Sequence, residues 1–108
     1  MPILIALSLL ITSELSIQTE KVEGFLAVIH GGLEISRNFS GNKSFDVFVD
    51  QEKPREVLFI EKWESERRFQ EYYEYNTAHG DCEILGEYFT TPPTIHLDRG
   101  LDESGESE

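Results

Sequence analysis

Two groups of side chains in this chain have the chemistry to move protons near neutral pH. His30 stands alone in the first third of the sequence, while Tyr72, Tyr73, Asn76 and His79 lie between positions 72 and 79. Imidazole accepts protons near neutral pH because its unperturbed pKa is about 6.5. Phenol and amide groups hold oxygen atoms by hydrogen bonds. Together these residue types suit removal of a proton from a hydroxyl group, with His79 or His30 as the base.

Apolar side chains near these groups are predicted to form the walls of a pocket. Phe25 and Ile29 share one face of a predicted helix, Phe69 and Tyr72 share one face of another, and Trp63 ends a predicted strand. Aromatic walls of this kind stack against an aromatic ring. The alternative is that the same residues are simply core, and this applies above all to Trp63.

The polar candidates also have alternative placements. Successive helix residues are about 100° apart, so Tyr72, Tyr73 and Tyr75 cannot all face one pocket. His30 and Glu34 are four positions apart, which suits a pair on the helix surface. The residue types therefore predict acid–base chemistry without deciding which histidine carries it.

Composition limits the class of protein. The chain has 108 residues and a formal net charge of −12, with 21 acidic and 9 basic side chains. This length fits one domain, and the negative charge argues against partners such as nucleic acid or anionic membranes. Cys82 is the only cysteine, which excludes an internal disulfide and a cysteine-based zinc site. We expect a cytoplasmic protein with no metal and no bound cofactor.

The first apolar run covers residues 3–11 and has two interpretations. No lysine or arginine precedes Lys21, and the residues after the run do not form a signal-peptide cleavage site. The run is also shorter than the ~20 residues that span a bilayer as a helix. We predict a central strand buried on both faces, with a signal segment as the alternative.

Hydrophobic periodicity predicts the remaining elements. They are a helix over 19–37 capped by Thr19, strands over 45–50 and 57–63, a helix after the cap residue Ser65, a shorter helix over 82–89 and a strand over 94–97. Gly31 and Gly32 interrupt the first helix, for which close packing or a bend is the favoured reason and room for a ligand the other.

The predicted order β-α-β-β-α-β is that of an α+β, ferredoxin-like fold with a four-stranded antiparallel sheet. We expect one domain over residues 1–98 and an acidic, disordered tail over 99–108. Two helices cover only one sheet face, yet Phe48, Leu58 and Ile60 fall on the other. Since soluble monomers avoid large apolar patches, we predict a homodimer that buries this face.

Three short motifs carry a resemblance to a known family. They are Glu61-Lys62-Trp63-Glu64-Ser65, Ser36-Arg37-Asn38-Phe39-Ser40-Gly41 and Thr91-Pro92-Pro93. The first resembles the E-x-W-x-S signature of antibiotic biosynthesis monooxygenase domains, the second their S-R-x-x-x-G helix exit, and the third their entry to the final strand. The order and spacing are similar over residues 2–98. The resemblance implies a dimeric α/β barrel with a pocket in each subunit.

The resemblance also implies a set of possible functions. Relatives include cofactor-independent quinol and polyketide monooxygenases, haem-degrading enzymes and members without established activity. Many carry histidines at the positions that Tyr72 and Thr77 occupy here. We therefore predict a cofactor-independent monooxygenase of a small aromatic or quinone-like molecule, in which replacing His79 by alanine lowers turnover. The alternatives are a non-catalytic ligand-binding dimer and, third, a haem-degrading enzyme with His79 as the iron ligand.

Overall fold

A computed structural model describes residues 7–101. Its elements are β1 (Leu7–Ser16), a 3-10 turn (Thr19–Lys21), α1 (Val22–Arg37), β2 (Asn42–Val49), β3 (Glu56–Trp63), α2 (Glu66–Ala78), α3 (Asp81–Gly86) and β4 (Thr94–Leu101). The predicted order of strands and helices is confirmed. The predicted beginning of the first strand, residues 3–6, and most of the predicted tail, 102–108, lie outside the described residues.

The four strands form one antiparallel sheet in the order β2-β3-β1-β4. This is the predicted ferredoxin-like fold of the α+β class. Ile11 of β1 stands opposite Glu61 of β3 on one side and opposite Leu97 of β4 on the other. Residues that face each other across antiparallel strands point to the same side of the sheet. This register therefore decides which side chains meet beneath the helices.

Two strands extend further than predicted. β1 continues to Ser16 rather than ending near residue 11, and within this extension Ser13 and Leu15 are buried. β4 continues to Leu101 because it pairs with β1 as far as Leu7, so residues 99–101 are strand. Pairing with a neighbouring strand satisfies backbone groups whatever the local propensity. Tertiary contacts thus lengthen both strands.

The helix ends differ from their predictions in detail. Thr19 does not cap α1, because it lies inside the 3-10 turn and α1 begins only at Val22. Ser65 caps α2 as predicted, with its hydroxyl accepting a hydrogen bond from the Arg68 backbone N–H at 3.2 Å. The last helix, α3, ends at Gly86 rather than near Phe89. No helix among residues 7–101 combines the length and apolar character needed to cross a membrane.

The core lies between the sheet and the helices. Its larger cluster packs Phe25 of α1 against Phe59 of β3, with stacked rings 6.3 Å apart between centroids. A second cluster at the other end of the sheet surrounds Trp63, which is fully buried. Burial of large side chains like these contributes ~2 kcal/mol each. Tyr72 of α2 packs against both clusters.

The opposite sheet face carries no helix and several apolar side chains. Register places Phe48 opposite Leu58, with Ile60 and Leu10 on the same face. Phe48 is 52% exposed, while the other three are partly buried. The predicted separation of the two strand faces is therefore confirmed.

Candidate functional site

A cavity of about 880 Å³ lies between the sheet, α1 and the α2–α3 region. Such a volume falls within the range of natural ligand pockets, about 300–1,000 Å³. Its lining is mainly apolar, with Ile29 and Leu33 from α1, Phe69 from α2 and Leu85 from α3. Because the walls come from several elements, the cavity exists only in the folded chain. It has room for a ligand with more than one ring.

The most unusual group in this cavity is the carboxyl of Glu61 on β3. Glu61 is only 6% exposed, and its neighbours across the strands are Ile11 and Phe45. The Trp63 indole N–H donates a hydrogen bond to Oε1 of Glu61 at 3.0 Å. Burial raises the pKa of Glu61 to about 7, although the hydrogen bond from Trp63 acts in the opposite direction. At neutral pH this carboxyl can therefore both accept and return a proton.

A second polar group faces the cavity from α2. The Tyr72 hydroxyl lies 2.7 Å from the Ser36 hydroxyl of α1, and either can be the donor. Burial raises the pKa of Tyr72, the Ser36 and Asn76 side chains act against this, and the negative charge of Glu61 adds to it. The phenol therefore stays neutral and serves as a hydrogen-bonding group rather than as a base.

The comparison with protein families decides the classification of this chain. The family described as antibiotic biosynthesis monooxygenase matches residues 9–75, which run from within β1 to within α2 and include both Glu61 and Tyr72. The chain belongs to the antibiotic biosynthesis monooxygenase family. The resemblance inferred from the three short motifs is thus confirmed. Comparison with curated protein sequences finds no significant match.

Solved structures share the fold of this antibiotic biosynthesis monooxygenase family member. A conserved protein from Methanosarcina mazei aligns with a TM-score of 0.80 at 18% identity, covering 88% of this chain and 94% of that one. A protein described as an antibiotic biosynthesis monooxygenase gives 0.78 at 19% identity, covering 87% and 99%. Rv0793 from Mycobacterium tuberculosis gives 0.79 at 16% identity, covering 90% and 98%. At these identities the likeness is one of fold.

The cavity of this family member is lined by five of the residues predicted from sequence. They are Ile29, Phe69, Tyr72, Tyr73 and Asn76. Phe25 and Trp63 do not line it, because both are fully buried in the core clusters. The rings of Phe39, Phe69 and Tyr72 surround Trp63 and separate it from the open space. Phe25 and Trp63 are therefore core residues and not walls of the cavity.

Neither histidine predicted as the base lies at the cavity. His79 is the exposed residue that follows the last turn of α2, where its Nδ1 lies 2.8 Å from the Tyr75 carbonyl and its ring stacks on the Tyr75 ring. His30 is exposed on α1, one position beyond the inward-facing Ile29. A step of about 100° around the helix turns it to solvent. The histidines and the predicted tyrosine are therefore not brought together.

Sequence reasoning missed Glu61 as a chemical group, although a signal for it exists. Val57, Phe59, Glu61 and Trp63 alternate along β3, so the carboxyl shares the buried face of three apolar residues. A buried charge without an ionic partner costs much free energy, and a titratable group in such a place is a functional candidate.

For two glycines of α1, the structure bears on close packing, one of the two favoured reasons for their presence. A Cβ atom at Gly31 or at Gly32 would meet no atom within 4 Å, so close packing does not explain either residue. Gly32 lines the cavity, where its missing side chain widens the space beside α1. For Gly32, the structure agrees with room for a ligand.

The arrangement of possible metal ligands does not match the haem interpretation. His79, the predicted iron ligand, does not line the cavity. Haem iron is held by one proximal side chain, so the predicted haem site depends on His79 alone. The residues present therefore do not provide the predicted haem site.

Proposed function

We propose that the chain is a monooxygenase that oxidises a small aromatic compound carrying a phenolic hydroxyl, with O₂ as the oxidant and no bound cofactor. The observation that carries this proposal is the buried Glu61 carboxyl on the floor of an apolar cavity. Membership of the antibiotic biosynthesis monooxygenase family supports the reaction class. The substrate and the residue roles rest on the geometry of the cavity.

The proposed reaction balances without an added reductant. A phenol with hydrogen on the carbon opposite its hydroxyl reacts with one O₂ to give one quinone and one water. The hydroxyl proton and the ring hydrogen leave in the water, one oxygen atom forms the new carbonyl, and the substrate supplies all four electrons. Deprotonation makes the ring electron-rich enough to reduce O₂, so the protein has to supply a base.

Glu61 is the proposed base and Tyr72 a proposed substrate-binding group. With a pKa raised to about 7 by burial, the Glu61 carboxylate removes the phenolic proton more readily than an exposed carboxylate does. The Tyr72 hydroxyl, held by Ser36 at 2.7 Å, can bond the developing oxyanion or the second oxygen function of the substrate. The apolar walls exclude water from the reactive intermediate.

We further propose that the protein works as a cytoplasmic homodimer. Phe48 is 52% exposed on the sheet face that carries no helix, and a second copy would remove this face from water. Cys82 is a free, exposed thiol, which suits a reducing compartment.

An oxygen-consumption assay tests the proposed function. 1-Naphthol and anthrones, which have hydrogen on the carbon opposite the hydroxyl in their phenolic forms, are offered as substrates, with O₂ uptake and product absorbance measured together. Glu61→Gln should lower turnover by about 100-fold or more, which is the usual contribution of a general base. The matched control is Glu74→Gln, which removes the same charge from an exposed position of α2 and should leave turnover unchanged.

A non-catalytic ligand-binding dimer is the second candidate. The observation in its favour is that neither His30 nor His79 lines the cavity. Binding of these aromatic compounds without any O₂ uptake would establish this candidate and remove the enzymatic proposal. The haem-degrading alternative has no comparable support, because its predicted ligand, His79, is turned to solvent.

A further inference from the structure

Ser13 carries a buried hydroxyl group that forms no hydrogen bond with another protein group among residues 7–101. It lies on β1, is 7% exposed and lines the cavity. Within residues 7–101 the structure gives its Oγ no hydrogen bond. Buried polar side chains are nearly always bonded, because an unsatisfied group keeps its full desolvation cost. This hydroxyl therefore points to a polar atom supplied from within the cavity.

Glu61 is the other polar residue of the sheet that lines the cavity, and its carboxyl can accept a further hydrogen bond. The Trp63 indole occupies Oε1, and no donor among residues 7–101 bonds Oε2. Ser13 stands opposite Phe59 and Ile11 stands opposite Glu61, so Ser13 and Glu61 are diagonal neighbours on the helix-covered face. Diagonal positions of an antiparallel pair are ~7 Å apart. One oxygen atom of a ligand fits between two such side chains.

We propose that Ser13 and Glu61 together hold a single hydroxyl oxygen of the ligand. The Ser13 hydroxyl donates a hydrogen bond to this oxygen, and the ligand hydroxyl donates its own hydrogen to the Glu61 carboxylate. Ser13 is thus a substrate-binding residue that positions the reacting group. The phenolic class of ligand rests on the proposed function, whereas the two-sided bonding rests on the burial of Ser13, the free oxygen of Glu61 and the strand register.

This arrangement distinguishes the reduced ligand from its oxidised product. A phenolic hydroxyl both donates and accepts, so it satisfies the two protein groups at once. A quinone carbonyl only accepts, and it would place its lone pairs against a buried carboxylate. Sites built to bond a hydroxyl reject the analogue that lacks it because their buried polar groups are left unpaired. The same pair of residues therefore favours binding of the phenol and release of the quinone.

Equilibrium dialysis without oxygen at pH 8 tests this inference separately from turnover. The probes are 1-naphthol, 1-methoxynaphthalene and 1,4-naphthoquinone, in the full chain carrying Cys82→Ser. This background prevents the cavity thiol from adding to the quinone. 1-Naphthol should bind about 10-fold or more tightly than either of the other probes, which is the effect of one hydrogen bond to a charged group.

Two variants test the roles of the individual residues. Ser13→Ala should weaken 1-naphthol binding roughly 2- to 10-fold, while Ser40→Ala, in the exposed turn after α1, should not. Glu61→Gln should narrow or reverse the preference for 1-naphthol over the quinone, because its amide donates to a carbonyl. Unchanged affinity in Ser13→Ala, or equal binding of the three probes by the Cys82→Ser protein with Ser13 and Glu61 intact, would overturn the inference.

The same measurements separate this inference from the proposed reaction. If 1-naphthol binds preferentially but no O₂ is consumed, the result supports binding of its hydroxyl by Ser13 and Glu61 and contradicts the proposed monooxygenase activity. If O₂ is consumed but 1-naphthol does not bind preferentially, the result supports the proposed reaction and contradicts the binding of the hydroxyl by Ser13 and Glu61.

Discussion

The Trp63 indole N–H bonds the Glu61 carboxyl at 3.0 Å, and both side chains lie buried beneath α2. Trp63 is the only tryptophan of the chain, so all tryptophan emission comes from this site. Burial raises the pKa of Glu61 to about 7. We predict that tryptophan fluorescence changes with pH along a single sigmoid with its midpoint near 7.

The control for this titration is Glu61→Gln, in which the sigmoid should disappear. Tyr72 of α2 interacts with Glu61, and its pKa is raised, so it stays neutral through this pH range. A midpoint near 4.5, the ordinary value for glutamate, would show that the carboxyl is hydrated in solution.

Stability should also depend on the protonation of Glu61. Between pH 4.5 and about 7 the native state keeps a proton that the unfolded state has released. Stability therefore falls as pH rises through this window and levels off above it, by about 3 kcal/mol for this one group. Denaturant unfolding at fixed protein concentration measures this, and Glu61→Gln should lose much less stability than the wild type between pH 5 and pH 8. Parallel curves for the two proteins would contradict the prediction.

Replacement of the histidines should now have little effect on turnover. His79 bonds only the end of its own helix and His30 lies on the exposed side of α1. We expect His79→Ala and His30→Ala to keep turnover within about twofold, in contrast to the effect of a lost general base. A large loss of kcat with an unchanged melting temperature, in either variant, would show that the replaced histidine takes part in proton transfer.

Two glycine replacements should have opposite effects on stability. Gly41 has φ +93°, and a Cβ atom there would collide with the Arg68 side chain at the start of α2. Gly41→Ala should destabilise the protein by about 1–3 kcal/mol. Gly31→Ala adds a methyl group in open space inside a helix and should stabilise it by up to ~1 kcal/mol. Thermal unfolding of both variants measures the difference, and equal melting temperatures would exclude the steric argument.

Assembly can be tested at Phe48. This side chain is 52% exposed on the open sheet face, so Phe48→Glu should dissociate the proposed dimer and lower its melting temperature together. Light scattering at micromolar concentration should give twice the chain mass of 12.4 kDa for the wild type and the single mass for the variant. A wild-type particle of one chain mass would remove the dimer proposal.

Local patterns were sufficient to predict the order of the elements and the two faces of the strands. Alternation along β3 separates Val57 and Phe59 from Leu58 and Ile60, and each side chain lies on the predicted face. The Ser65 cap and the stripe through Phe25 and Ile29 are equally local. These features depend on neighbours within a few positions, which is why sequence alone determines them.

The candidate site depended on contacts that no local pattern contains. Ser13 and Glu61 are neighbours only because β1 pairs with β3 in this register, and the pKa of Glu61 rises because folding buries its carboxyl away from water. His79 turns away from the cavity because α2 ends just before it. The residue types and the order of elements were determined by the sequence itself. Which polar groups lost water and which stayed exposed was decided by tertiary packing, since desolvation depends on atoms brought from distant parts of the chain.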